Sequence, residues 1–361
     1  MQSKVALLVA LAACRIPDEQ FTHLGDGGPG EDAATDAINP DVLTRGYLFD
    51  SQTGIYRLNK NPGTGALTLA DPSPTVAGGA PSGVSNKEGT HLYAVVSSGS
   101  QIVDYAIGSD GTLTQQVPIT SIAPCAPISA KLHPGGKFLA VGCSNAQFTI
   151  VPVGATGALG APTFTTAGVI PTAPAFSPNG SCLYFSDLTG PAASRILAFQ
   201  FNTTTGAVVA SGSATGPSLP RGLAVHPGGG FVYLGGNGTI QSYVLGATCG
   251  LTTLASASIG ATTQQITIDP PGGRLFVTGT EVYVFTIAPN GLLTGIPGSP
   301  FLQSGTTMDG ATMDPAVPNL LYITGRGYSG TLVTQVGANG VLTQLSMVTV
   351  GGGGSWMQLV R

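Results

Sequence analysis

Charge is the scarcest property of this chain. Only 8% of its residues are Asp, Glu, Lys or Arg, against about 25% in an ordinary soluble domain. With 13 basic and 17 acidic residues the net charge is −4, and there is no basic stripe of the kind that nucleic acid requires. Histidine is nearly as rare, with four in 361 residues. Neither a CxxC nor an HxxxH spacing occurs, which argues against a zinc site, and no ligand set for a cofactor is present, so neither metal nor cofactor is expected. The longest apolar run near the start is Val5 to Ala13, too short to cross a bilayer as a helix. No later segment is longer.

What is abundant is turn chemistry: 54 glycines and 27 prolines. A surface of Ser, Thr, Gly and Gln in place of Lys and Glu suits an extracytoplasmic protein. The N-terminus agrees: Lys4, the apolar run, then Leu11-Ala12-Ala13-Cys14, which resembles a bacterial lipobox. On this reading residues 1–14 are a lipoprotein-type signal and Cys14 is the lipidated residue. Arg15, where some bacteria place an inner-membrane retention Asp, points to an outer-membrane, periplasmic or cell-surface location. Residues 15–44 hold seven acids among glycines (Asp18, Glu19, Asp26, Glu31, Asp32, Asp36 and Asp41). Their low hydrophobicity and one-signed charge predict a disordered tether. Asp26-Gly27-Gly28 lacks the periodic ligands of a calcium loop.

From residue 45 to 361 a repeat organises the chain. Short turns containing Gly65, Gly111, Gly157, Gly206, Gly250, Gly291 and Gly340 lie 46, 46, 49, 44, 41 and 49 residues apart. A repeat of that length made of short strands predicts an all-β, seven-bladed β-propeller of four-stranded antiparallel blades. A second element, exemplified by Leu132-His133-Pro134-Gly135-Gly136 and Val225-His226-Pro227-Gly228-Gly229, reads as the hairpin between strands A and B. The G-x-Leu turn then joins strand C to strand D. The chain enters on Gly46-Tyr47-Leu48-Phe49, a B strand lacking its A, and ends on Trp356-Met357-Gln358-Leu359-Val360, an A strand lacking its B. Pairing them closes blade one and removes the exposed edges. Burial in that closing strand is the expected fate of Trp356.

Four cysteines remain beyond Cys14. Counting outward from the Pro134-Gly135 turn sets Cys125 nearly opposite Cys143, so these are expected to pair; Cys182 and Cys249 pair by remainder. His133 and His226 occupy the position where other blades carry Ser177, Asp269 and Asp314, all able to accept a backbone hydrogen bond, so both read as turn residues.

The hairpin, the apolar-Tyr strand and the G-x-Leu turn together resemble the seven-bladed lactonase family, the YVTN-type propellers that include 6-phosphogluconolactonase. The likeness runs from Gly46 to Arg361. Its best local matches are Phe176-Ser177-Pro178-Asn179-Gly180 with Leu183-Tyr184-Phe185-Ser186-Asp187, and Leu219-Pro220-Arg221-Gly222 through His226-Pro227. The resemblance implies histidines at the start of two A strands and an Asn-Glu pair at the end of a B strand. Here Thr172-Ala173-Pro174, Gly222 and Gly235-Gly236 stand at those positions, while Arg221, Asp187 and Arg195 match. Glu281, Asp309, Arg326 and Tyr328 add a polar mouth on the same face. The resulting expectation is a surface-tethered, monomeric propeller that binds a partner protein or glycan without catalysis. Its alternative is a lactone hydrolase using Arg221 with Asp187 or Glu281.

Overall fold

The computed structural model describes residues 44–75, 82–189, 194–302, 306–326, 330–350 and 354–360, all within the compact unit Pro40–Arg361. The expected signal, Cys14, most of the acidic tether and Tyr328 lie outside the described residues.

Seven antiparallel sheets form a β-propeller, each built of strands A to D in order. Blade one takes its A strand from the C-terminus: Gly354–Val360 pairs with Arg45–Asp50, with Val360 opposite Arg45 and Trp356 opposite Phe49. The A strands of the following blades are Ser82–Ser85, Pro127–Leu132, Pro171–Phe176, Gly222–Val225, Gln265–Ile268 and Gly310–Met313. Each touches the next, and the last touches Gly354–Val360, so they make a closed ring round a central channel.

The core follows from the sequence pattern. The B strands, such as Phe138–Cys143 and Leu320–Gly325, are buried on both faces and read as unbroken apolar runs. Their side chains fill seven hydrophobic clusters, one at each seam between neighbouring blades. The two disulfides join Cys125 to Cys143 within blade three and Cys182 to Cys249 across blades four and five.

The repeated turns are sockets for the preceding blade. Tyr47 donates its hydroxyl to the Gly111 carbonyl at 2.7 Å, Tyr93 to Gly157 at 2.6 Å, and Tyr233 to Gly291 at 3.2 Å. Tyr184 reaches Cys249 at 3.2 Å and Tyr322 reaches Gly65 at 2.8 Å. Burial pushes the phenols of Tyr47 and Tyr233 up to about 12, so they stay protonated donors. The register then explains two gaps in this ladder. Ala140, opposite Lys131, and Phe276, opposite Thr267, replace the tyrosine in blades three and six.

The histidines behave as turn residues. The Gly135 and Gly228 N–H groups donate to Nδ1 of His133 and His226, each at 2.9 Å. Their Nε2 atoms donate onward to the Gly180 and Gly272 carbonyls of the next blade, at 3.3 and 2.9 Å. Burial first of all holds His133 below the usual imidazole range.

Closure at the seam of blades seven and one carries an extra lock. Lys60 Nζ meets Asp314 Oδ2 at 2.9 Å with both side chains fully buried, and the Tyr322 hydroxyl lies 2.8 Å from the same oxygen. Lys60→Met leaves the Asp314 carboxylate buried without its cation and should cost about 3–5 kcal/mol, read as a drop in the urea midpoint. Tyr322→Phe should cost less, about 1–3 kcal/mol, by the same measurement.

Candidate functional site in the central channel

A cavity of about 790 Å³ occupies the channel and takes lining residues from all seven blades. Its walls come mostly from the A strands, because these are the innermost elements of each sheet. Alternation along Gly222–Val225 and Gln265–Ile268 leaves small and apolar groups there. Polar groups gather where the chain enters the A strands.

Arg221 immediately precedes strand A of blade five and is held in line by its N–H donating to the Gly235 carbonyl at 3.0 Å. Its guanidinium is exposed and donates to Gln264 Oε1 at 3.2 Å. A neutral amide leaves that positive charge uncompensated. Arg326, by contrast, is consumed by Asp309. Its Nε and NH2 atoms donate to the two carboxylate oxygens at 3.1 and 2.9 Å, and its backbone N–H adds a third bond at 3.1 Å. The pairing raises the Arg326 guanidinium above its ordinary value. Asp309 is the one carboxylate among the described residues lining the cavity.

Three of the residues singled out in the sequence thus meet on the cavity: Arg221, Asp309 and Arg326. The other three are placed elsewhere. Asp187 is fully buried, accepts from the Thr189 N–H at 2.9 Å, and takes Arg195 Nε at 3.0 Å. It and Arg195 close a B-to-C connection beside the cavity and do not border it. Glu281 accepts the Tyr283 hydroxyl at 2.6 Å, also off the cavity wall.

Trp356 corrects the expectation of simple burial. It is only half-buried, lines the cavity, and its Nε1 has no hydrogen-bond partner. Ser82, on the neighbouring A strand, also lines the cavity with an unpartnered buried hydroxyl.

Lys131 was not singled out in the sequence. It lies on strand A of blade three, exposed to the channel yet encircled by protein, and that burial pushes its ammonium below the ordinary lysine range. A signal was available. Among the described residues of the seven A strands, Lys131 is the only charged one.

The glycines standing where the resemblance implied catalytic side chains have no room for them. A Cβ on Gly222 would sit 2.7 Å from Thr263 Cγ2 and 2.9 Å from the Gln265 and Ile266 backbone. On Gly235 it would meet Thr263 Oγ1 at 2.5 Å, and on Gly236 it would run into the Ser218 carbonyl. The entry to blade six fills the space beside Gly222 and Gly235, and the entry to blade five fills it beside Gly236. Gly222→His should therefore lower stability by about 1–3 kcal/mol through overpacking, seen as a lower melting temperature, instead of restoring an imidazole to the cavity.

Comparison with known proteins agrees with this architecture. Residues 45–179, blades one to three and the first strand of blade four, match the family model described as Lactonase, 7-bladed beta-propeller. No curated protein matches the chain. A Bacteroides uniformis structure described as a candidate 6-phosphogluconolactonase superposes with a TM-score of 0.77 at 20% identity, covering 89% of this chain and all of that one. A counterpart of the same description from Bacteroides fragilis gives 0.77 at 18%, over 90% of this chain and all of its own. The periplasmic gluconolactonase of Pseudomonas aeruginosa gives 0.71 at 16%, over 88% and 99%. At such identities the shared property is the fold, and the chain has the seven-bladed propeller fold of these lactonase-type proteins.

Proposed function

We propose that the chain is a member of the seven-bladed lactonase family and hydrolyses a sugar lactone in its central cavity. The observation that carries this is Arg221, a guanidinium without a counter-ion among the described residues, at the rim of the central cavity. The family match over residues 45–179 and the gluconolactonase descriptions of its structural neighbours support the same reaction.

In that reaction a water oxygen bonds to the lactone carbonyl carbon. The carbonyl π electrons move to oxygen, and the ring C–O bond breaks as the tetrahedral intermediate collapses. The ring oxygen leaves as a hydroxyl, and the new carboxylic acid releases its proton to solvent. Arg221 offers planar N–H donors to the developing oxyanion, a contact that strengthens as charge builds. Asp309, tied to Arg326, receives one proton of the attacking water and returns it to the departing ring oxygen. This replaces Asp187 and Glu281, which lie off the cavity wall, as the acid–base group of the hydrolase reading.

A second reading rests on Gly222, Gly235 and Gly236. Because the entries to blades five and six close the space beside them, the channel would bind a glycan or partner protein without turnover. Export to an oxidising compartment belongs to both readings and is supported by the two disulfides; lipidation of Cys14 is proposed from the Leu11-Ala12-Ala13-Cys14 motif alone.

A panel of five- and six-membered sugar lactones separates the two. Arg221→Ala should reduce kcat/KM by about 10²–10³-fold in a pH-indicator assay, with Asp309→Asn lowering kcat. Turnover of no lactone by the wild-type chain would leave only the binding reading.

A further inference from the structure

The lactone reading leaves one charge in the cavity unused. Arg326 is neutralised by Asp309, but Lys131 has no described hydrogen-bond or ion-pair partner, and the shift of its ammonium has burial as its only cause. Its side chain opens onto the channel without a counter-ion among the described residues, so its charge is free to engage an anion there.

Its position relative to Arg221 follows from the register of the repeat. His133 and His226 occupy the same hairpin position, since each accepts the N–H two residues on. Lys131 therefore corresponds to Ala224, three residues along strand A from Arg221. At the rise of a β-strand this is about 10 Å down the channel axis. The cavity thus carries two cations without a counter-ion among the described residues, one where the A strands begin and one near their hairpin ends, on blades two apart.

We infer that the ligand bears an anionic group at each end of an extended chain, and that the substrate class is a sugar lactone whose far end is a carboxylate, with Lys131 binding that carboxylate and Arg221 the lactone. This assignment rests on the lactone reading above. Charge balance selects the carboxylate. The carboxylate and the developing oxyanion bring one negative charge each, matching the two free cations. A phosphomonoester would bring about −1.5 to −2 by itself, which with the oxyanion exceeds the charge of the two cations. Trp356 offers an apolar face and an unpartnered indole N–H on the wall between these ends, where a polyhydroxylated chain would lie.

Calorimetric titration of the full chain with D-glucarate, D-gluconate and 6-phospho-D-gluconate tests the assignment without requiring turnover. Glucarate, with a carboxylate at each end, should bind about tenfold or more tighter than gluconate, as one charge-assisted contact implies. Lys131→Met should abolish that preference while leaving gluconate binding in place, and Lys131→Arg should retain it. Arg221→Ala should weaken both acids. Because Lys131→Met could disturb the channel, a second measurement uses the wild-type chain alone. Trinitrophenylation of Lys131 by trinitrobenzenesulfonate, with loss of sulfite, followed by peptide mass, should be slowed by glucarate and not by gluconate. Equal binding of the two acids, no binding of either, or a preference that survives Lys131→Met would overturn the inference. Tighter binding of the phosphorylated acid would overturn the carboxylate assignment. Failure of the hydrolase reading looks different: no lactone is turned over while the glucarate preference and its dependence on Lys131 persist.

Discussion

Closure of the ring is the interaction on which the rest of this molecule depends. The C-terminal strand Gly354–Val360 pairs along Arg45–Asp50, joining residues from opposite ends of the chain. Beside that strand pair, Lys60, Asp314 and Tyr322 form a buried polar contact between the first and last blades. A fully buried ion pair brings little net stability over an apolar pair, but it strongly disfavours arrangements in which either partner is left alone. It therefore specifies which blade meets which. An unclosed stack of blades would expose two sheet edges and would have no channel.

Within the ring the blades are held at a set spacing by turns that receive side chains from the blade before. The tyrosine hydroxyls bonded to turn carbonyls and the histidines bridging two hairpins serve this one purpose. Positive φ at turns such as Gly157 (+88°) lets the backbone bend under the ring of His91 without a Cβ in the way. Because these contacts occupy the histidines, the hairpin face is structural. Functional chemistry is left to the channel and its opposite rim, where the A strands begin.

Sequence reasoning reached the blade count, the clasp and the Cys125–Cys143 pair because each rests on local periodicity, while Cys182–Cys249 followed only as the remaining pair. Turn residues recur at near-constant spacing, and a hairpin register can be counted from its Pro-Gly. The site was only half legible. Arg221, Asp309 and Arg326 could be found as charged residues in connections on one face. Asp187 and Arg195 carry the same kind of signal, yet the short separation between them lets them satisfy each other. Lys131 escaped notice because it sits in an otherwise ordinary strand. Its isolation as the sole charge of the innermost ring becomes visible only once the seven A strands are set side by side.

The amino-acid sequence by itself determined the architecture: seven repeats, their strand order, and a ring closed by its two ends. These follow from turn geometry and hydrophobic alternation, which act over a few residues. Only the tertiary structure decided which charges remain available in the channel. Whether Arg326 is neutralised depends on a residue 17 positions away across its own blade, and whether Gly222 has room for a side chain or Lys131 has a counter-ion depends on residues from other blades. Electrostatic and steric compensation act through space, so a chain whose repeats are plain along its length discloses its site only when the ring brings them together.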